Sequence, residues 1–208
     1  GFGAMLAAML TASRHNAPCF FVRWLRRRGG QVYPPGLTEF GLNPDRCFSV
    51  HTPDLLAALK ATADIARSGA AGAVLVEIEG NPKLLDLTAS RRLALSAEKS
   101  GTAVLLLRMG AREAPSAAYS RWQVASALST PLLADAPGGP TFDITMLRHR
   151  RIAAGQAARL IWNFEEQKFD EQFATQSRQS DSTGATTFGR LFSLAARRAA
   201  DPHSRRAA

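Results

Sequence analysis

The stretch AAGAVLVEIEGNPKLLDLTASRRLALSAEKSGTAVLLLRMG, residues 70–110, decides the fold of this chain. Two largely apolar runs, Ala73–Ile78 and Thr102–Arg108, are predicted strands, and Thr88–Ser100 between them is a predicted helix that Gly101 ends. Continuous apolar strands are typical of parallel sheets covered on both faces, and parallel neighbours need a crossover such as this helix. The sequence therefore predicts an α/β fold with a mostly parallel sheet flanked by helices.

Further elements of the same kind precede this unit. Cys19–Trp24 and Cys47–His51 are predicted strands. An apolar stripe predicts a helix that follows Thr52, its expected N-cap, and ends at Gly69. Residues 2–14 carry apolar side chains at helical spacing and predict an amphipathic helix.

The pattern changes after position 120. Arg121–Ala127, Phe142–His149 and Arg159–Phe164 are predicted strands, and the turns between them leave no room for long helices. The second of these strands alternates apolar and polar residues, which is typical of a strand with one buried face. We expect the three to form antiparallel edge strands on the sheet, within a single domain over residues 1–164.

The composition shifts again after Phe164, so residues 165–208 are predicted to form a flexible tail rich in Glu, Gln, Ser and Thr. Within it, residues 187–199 predict a short amphipathic helix. Its apolar stripe is formed by Phe188, Leu191, Phe192 and Ala195. The stripe is a candidate partner-binding peptide, and the alternative is a frayed helix packed weakly on its own domain.

The chain is strongly basic. It carries 26 Lys and Arg against 17 Asp and Glu, a formal net charge of +9 at pH 7, and 22 of the basic residues are arginine. Residues 165–208 hold 7 basic and 6 acidic residues, so nearly all of the excess lies in residues 1–164. Arginine suits the recognition of phosphate and carboxylate, so acidic partners such as DNA are compatible with this charge. A compositional bias of the coding sequence explains it equally well.

Other features of the composition bear on the compartment. Cys19 and Cys47 are too far apart for a zinc knuckle or a C-x-x-C redox motif, which fits a reducing cytoplasm. No apolar run approaches about 18 residues, so no membrane contact is predicted. The apolar start lacks the leader and cleavage site of a signal peptide, and it lacks an initial Met. We predict a cytoplasmic protein that is N-terminally truncated.

One arginine cluster is a candidate for contact with DNA. Arg148, Arg150 and Arg151 lie at the predicted end of a hairpin, next to His149. Clustered arginines of this kind contact the nucleic-acid backbone, and a solvated turn is the alternative.

A second pair, Arg91 and Arg92, is predicted near the start of a helix, where positive charge opposes the helix dipole. This unfavourable placement makes both of them candidate partner-binding residues. We expect one to pair with an acid inside the fold, such as Asp86, and leave the other to a phosphate or a partner's carboxylate.

A set of short motifs extends over residues 33–164. They are YPPGL at 33–37, FGL at 40–42, LDLTASRRL at 85–93, LLR at 106–108, RWQV at 121–124, LRHR at 147–150 and IW at 161–162. The combination of L-x-x-x-R-R-L with R-W-x-V is more specific than either motif alone. Through these residues the chain resembles the ImuA family, RecA-like accessory proteins of bacterial damage-induced mutagenesis cassettes, and more distantly the SulA cell-division inhibitors.

The resemblance implies a RecA-like fold and a non-catalytic adaptor in SOS-induced DNA damage tolerance and error-prone translesion synthesis. It implies an ImuB-type inactive Y-family polymerase homologue and an error-prone polymerase as partners, and it admits RecA as a further one. It carries over no catalytic residue, no metal ligand and no cofactor. Weak direct binding to DNA is an additional expectation from the basic charge.

The position of Glu77 bears on catalysis. RecA-like ATPases carry an acid that holds magnesium at the end of a central strand, and Glu77 stands at that point of the predicted strand. The chain contains no G-x-x-x-x-G-K-[ST] phosphate loop. Where such ATPases place a water-activating glutamate, it has Arg26, Arg27 and Arg28, and an arginine does not act as a general base at neutral pH. We therefore predict that the protein is not an enzyme.

Two alternatives stay open at the level of the sequence. The first is a SulA-like inhibitor of cell division that binds the bacterial tubulin homologue. The second is a RecA-like ATPase whose phosphate loop lies upstream of Gly1.

Overall fold

The computed structural model describes Gly3, Leu6, residues 17–24 and residues 32–172. The chain divides into two compact units, the first ending at Ala118 and the second beginning at Tyr119. The helix predicted over residues 2–14 is described only at Gly3 and Leu6, which are both helical. The tail helix predicted over residues 187–199 lies outside the described residues.

The first unit is built on a four-stranded parallel sheet in the order β2-β1-β3-β4. Its strands are β1 (Cys19–Trp24), β2 (Cys47–Thr52), β3 (Ala73–Glu79) and β4 (Ala103–Met109). The α-helices described between these strands are α1 (Pro34–Glu39), α2 (Leu55–Ser68) and α3 (Leu87–Ser100). The predicted α/β class, a mostly parallel sheet flanked by helices, is confirmed.

Both faces of this sheet are buried, which explains why its central strands are continuously apolar. On one face, Val22, Val74, Val76 and Ile78 pack against the apolar sides of α2 and α3. The alternate residues of the same strands cover the opposite face, where Phe21 and Leu75 pack with Leu37 of α1. Burial of each such side chain stabilises the fold by about 1.5–3 kcal/mol.

The ends of the two long helices are fixed by Asp and Gly residues. The carboxylate of Asp54 accepts a hydrogen bond from the Ala57 amide at 2.8 Å and caps α2. The prediction of Thr52 as the N-cap is therefore wrong. Thr52 is the last residue of β2, and its hydroxyl donates to the carbonyl of Arg23 at 3.1 Å. Two suitable capping residues lie two positions apart, and the one that the sheet does not use caps the helix.

The second unit is a four-stranded antiparallel sheet in the order β5-β6-β7-β8. Its strands are β5 (Ser120–Ala127), β6 (Thr141–His149), β7 (Ala157–Asn163) and β8 (Lys168–Gln172). The three antiparallel strands that the sequence predicts are present. They pair with one another in a sheet of their own, whereas the sequence predicted an extension at an edge of the parallel sheet.

One face of the antiparallel sheet is buried, by Ile144, Met146, Leu160 and Trp162. Strand β8 occupies positions that sequence analysis assigned to the tail. It pairs with β7 in antiparallel register, and the ring of Phe169 packs edge-on against Trp162, with 5.0 Å between the ring centroids. A single apolar residue among charged neighbours gives no strand pattern, so this strand was not predicted.

Candidate functional site

The carboxyl ends of the parallel strands are the usual place for a ligand in an α/β sheet. Here β1 carries Arg23 and β3 carries Glu77, one position beyond the paired residues Val22 and Val76. The Arg23 Nε atom lies 3.7 Å from the Glu77 Oε2 atom, and the two side chains are 13% and 34% exposed. A neighbouring guanidinium therefore supplies Glu77 with positive charge.

This ion pair bears on magnesium binding, because a cation at Glu77 would have to compete with Arg23 for the same carboxylate. Within the ranges 17–24 and 32–172, together with Gly3 and Leu6, no group of three His, Cys, Asp or Glu side chains is placed to hold a metal ion. The arginine run that follows β1, at Arg26, Arg27 and Arg28, lies outside the described residues.

The candidate residues Arg91 and Arg92 are both exposed on α3, as its fifth and sixth residues. The ion pair expected with Asp86 does not form. The Asp86 carboxylate instead caps α3, accepting a hydrogen bond from the Ala89 amide at 2.7 Å. A cap of this kind contributes about 0.5–2 kcal/mol, more than a typical surface ion pair, which contributes about 0–1 kcal/mol.

The three arginines predicted to contact DNA come together at one end of the antiparallel sheet. Arg148 lies directly opposite Arg121 of β5. The register shifts by one residue between Arg121 and Trp122, so Trp122 opposes Met146 and Leu147 has no residue directly across from it. Because Arg121 and Trp122 are consecutive in a strand, their side chains point to opposite faces. Because of this register shift, Arg148 lies on the face of the sheet opposite to the one on which Met146 is buried.

Beyond this pair, the next residues form an aromatic and cationic stack. The Arg150 amide donates to the Tyr119 carbonyl at 3.1 Å, and the Arg150 guanidinium lies over the Tyr119 ring, 5.7 Å from its centroid. The imidazole of His149 packs edge-on against the same ring, with 4.9 Å between centroids. A guanidinium at this distance from an aromatic face is held by cation–π attraction.

His149 also fixes the backbone that follows it. Its Nδ1 atom accepts a hydrogen bond from the Arg151 amide at 3.1 Å. Burial and the neighbouring Arg151 charge lower the pKa of His149, which keeps the imidazole neutral and Nδ1 available as an acceptor.

We call this cluster the arginine end of the antiparallel sheet. It consists of Tyr119, Arg121, Arg148, His149, Arg150 and Arg151. Sequence reasoning found three of the arginines but missed Tyr119 and Arg121, because their place opposite Arg148 and Arg150 depends on the shifted register.

The opposite end of the β5–β6 hairpin is apolar. Leu128, Leu132 and Leu133 are 93%, 62% and 94% exposed. The loop keeps its shape through a hydrogen bond from the Leu132 amide to the Ala136 carbonyl at 2.8 Å, although Ala134 has a positive φ of 59°. Sequence reasoning missed this surface, since leucines are normally assigned to a core. Clustered exposed apolar side chains often mark protein contacts.

The remaining predicted partner-binding residues, Phe188, Leu191 and Phe192, lie outside the described residues. In the part of the chain that the structure describes, no helix is long and apolar enough to cross a membrane.

Part of the chain is similar in sequence to a curated protein. No family model matches it. It is 33% identical over 129 residues to Protein ImuA of two Caulobacter vibrioides strains, an alignment that covers 57% of this chain and 51% of ImuA. The chain thus spans about half the length of the curated relatives it matches. A crystal structure of the RadB recombinase covers 76% of this chain with 84% of its own, at 14% identity and a TM-score of 0.47. The identity to ImuA over these 129 residues agrees with the motif resemblance found in the sequence.

Proposed function

We propose that this protein is a non-catalytic accessory factor in DNA damage tolerance, acting with an ImuB-type polymerase homologue during SOS-induced, error-prone translesion synthesis in the cytoplasm. The observation that carries the proposal is the similarity to ImuA over 129 residues. The motifs that suggested the family, among them LDLTASRRL and RWQV, lie on α3 and β5.

The non-catalytic part of the proposal is supported by the ion pair at the end of the parallel sheet. Glu77 occupies the strand position where an ATPase would hold magnesium, and Arg23 lies 3.7 Å from it. A cation brought to Glu77 would also meet the repulsion of this guanidinium, which is only 13% exposed and therefore poorly screened by water. Sheet position and charge together favour a structural role for Glu77.

The adaptor part is supported by surfaces suited to protein contact. The described residues offer exposed leucines at 128, 132 and 133 and the exposed arginines Arg91 and Arg92. The tail stripe Phe188, Leu191 and Phe192 is the sequence-based candidate for the same task. Changing these three tail residues to alanine in the full chain is expected to weaken capture of the ImuB-type homologue.

The direct test of the function is genetic. In a strain that lacks this protein, the mutation frequency after ultraviolet irradiation should fall towards its uninduced level, and the full-length gene should restore it. Induced mutagenesis that is unchanged in the deletion strain would reject the proposal. Filamentation on expression, without any effect on mutagenesis, would favour an inhibitor of cell division instead.

A further inference from the structure

We propose that the arginine end of the antiparallel sheet is a binding site for single-stranded DNA, in which its arginines contact phosphates and the Arg150 guanidinium stacks on an unpaired base. The proposal concerns direct contact with nucleic acid and does not depend on the adaptor role. It rests on charge, on the direction of the side chains, and on the Arg150–Tyr119 stack.

The arginines of this site lie in two sequence segments that contain no acids. Residues 116–133 and 144–158, which include β5, most of β6 and the loop after it, contain Arg121, Arg148, Arg150 and Arg151 and no Asp or Glu. Two of these, Arg121 and Arg148, face each other across neighbouring strands. A phosphate bound at this place meets positive charge from both strands.

The direction of the side chains follows from the register. Arg121 and Arg148 share one face of the hairpin because they are paired. Tyr119 and Arg150 lie one residue beyond the ends of β5 and β6, and a backbone hydrogen bond of 3.1 Å joins them. Because this hydrogen bond continues the pairing of β5 with β6, we infer that Tyr119 and Arg150 line the same surface as Arg121 and Arg148, about 7 Å further along. The shifted register at Leu147 is what produces this alignment.

The Arg150–Tyr119 stack favours binding of single-stranded over double-stranded DNA. The Arg150 guanidinium lies 5.7 Å from the centroid of the Tyr119 ring, and His149 supports the ring from the side. Arg150 itself is exposed, so a planar group can reach it from solvent. Bases stack on arginine and aromatic planes when they are unpaired, whereas the base faces of a duplex are covered by their neighbours. Tyr119 is therefore a positioning residue for Arg150.

The test is fluorescence anisotropy of the full chain with a labelled oligothymidylate and with a duplex of the same length, over a series of salt concentrations. Changing Arg148, Arg150 and Arg151 together to alanine should weaken binding to the single strand about tenfold or more at low salt. Because three arginines no longer neutralise phosphates, the slope of log affinity against log salt should become shallower by about 2.

A charge-matched control is available in the first unit, where Arg46, Arg67 and Arg112 are all exposed. Their combined change to alanine removes the same charge and should leave most of the affinity in place. Equal losses of affinity in the two triple variants would show that only net charge matters and would overturn the site. Failure of the unchanged protein to bind oligothymidylate at low salt, or tighter binding to the duplex, would also overturn it.

Substitutions at Tyr119 distinguish a contribution of stacking from a contribution of charge alone. Tyr119→Phe keeps the ring and should bind as the unchanged protein does. Tyr119→Leu keeps an apolar side chain without a π face and should weaken binding about twofold to fivefold. Far-ultraviolet circular dichroism of both variants verifies the fold. Equal affinities of the folded Phe and Leu variants would contradict the role given to the Arg150–Tyr119 stack.

Discussion

The two sheets of this protein differ in how they use their faces. The parallel sheet is covered on both faces, and the charged residues at its carboxyl end, Arg23 and Glu77, are paired with each other. The antiparallel sheet buries one face and brings arginines together at one end and leucines at the other. In the first sheet, most side chains pack in the core, and Arg23 and Glu77 form an ion pair with each other. In the second sheet, the arginines and leucines at its two ends are largely exposed to solvent.

The largest expected effect is the loss of stability when a fully buried side chain of the parallel sheet is removed, compared with a partly exposed one of the antiparallel sheet. Ile78 of β3 is fully buried, so Ile78→Ala should lower the free energy of unfolding by about 2–5 kcal/mol, from reduced burial and the cavity left behind. Val124 of β5 is 37% exposed, and Val124→Ala should cost less than about 1 kcal/mol. Urea denaturation of both variants measures the difference. Equal destabilisation would contradict the difference in burial between these two strand positions.

A smaller loss of stability is expected at the start of α3. Two substitutions of Asp86 distinguish a role as helix cap from a role in an ion pair. Asp86→Ala should cost about 0.5–2 kcal/mol, because the Ala89 amide loses its acceptor. Asp86→Asn keeps a good N-cap without the charge and should retain most of the stability. Thermal melting distinguishes the two variants. Destabilisation in Asp86→Asn as large as in Asp86→Ala would show that its charge, and hence a cation such as Arg91, matters more than the cap.

The smallest effect is expected on the exposed side of the antiparallel sheet. Arg159 binds Asp143 through two hydrogen bonds, of 2.7 and 2.9 Å, and these hydrogen bonds lower the pKa of Asp143. Since the folded-state pKa is below the unfolded one, the stabilisation is present above the unfolded pKa and is lost as the pH falls through the folded pKa. Asp143→Asn should therefore slightly lower the melting temperature at neutral pH and leave it unchanged in strong acid. A difference that persists in strong acid would contradict this account.

The parts of the fold that sequence could predict are those in which local pattern and tertiary environment agree. β3 and β4 are largely apolar because both faces of the parallel sheet are covered, and Gly101 ends α3 in a left-handed conformation, with φ of 75°. At these positions the local sequence preference and the final fold require the same structure, so the sequence alone predicts it.

The parts that sequence could not predict depend on pairing. Arg121 meets Arg148 only because the register shifts at Leu147, and no local signal in either strand specifies that shift. β8 pairs with β7, and Phe169 is the one apolar residue among its charged and polar ones. The exposed leucines at 132 and 133 follow the opposite of the usual rule for apolar residues. The arginine end and the exposed leucines are thus places where the local sequence pattern does not predict the tertiary structure.

The central claim is that this protein supports damage-induced mutagenesis without catalysis at the end of its parallel sheet. The most direct measurement is the mutation frequency after ultraviolet irradiation in a strain whose only copy carries Glu77→Gln, at an abundance matched to the unchanged protein. This substitution removes the charge that magnesium would need and keeps the shape of the side chain. The account predicts a frequency equal to that of the unchanged strain, well above the deletion strain. A frequency as low as that of the deletion strain, at equal abundance, would contradict it.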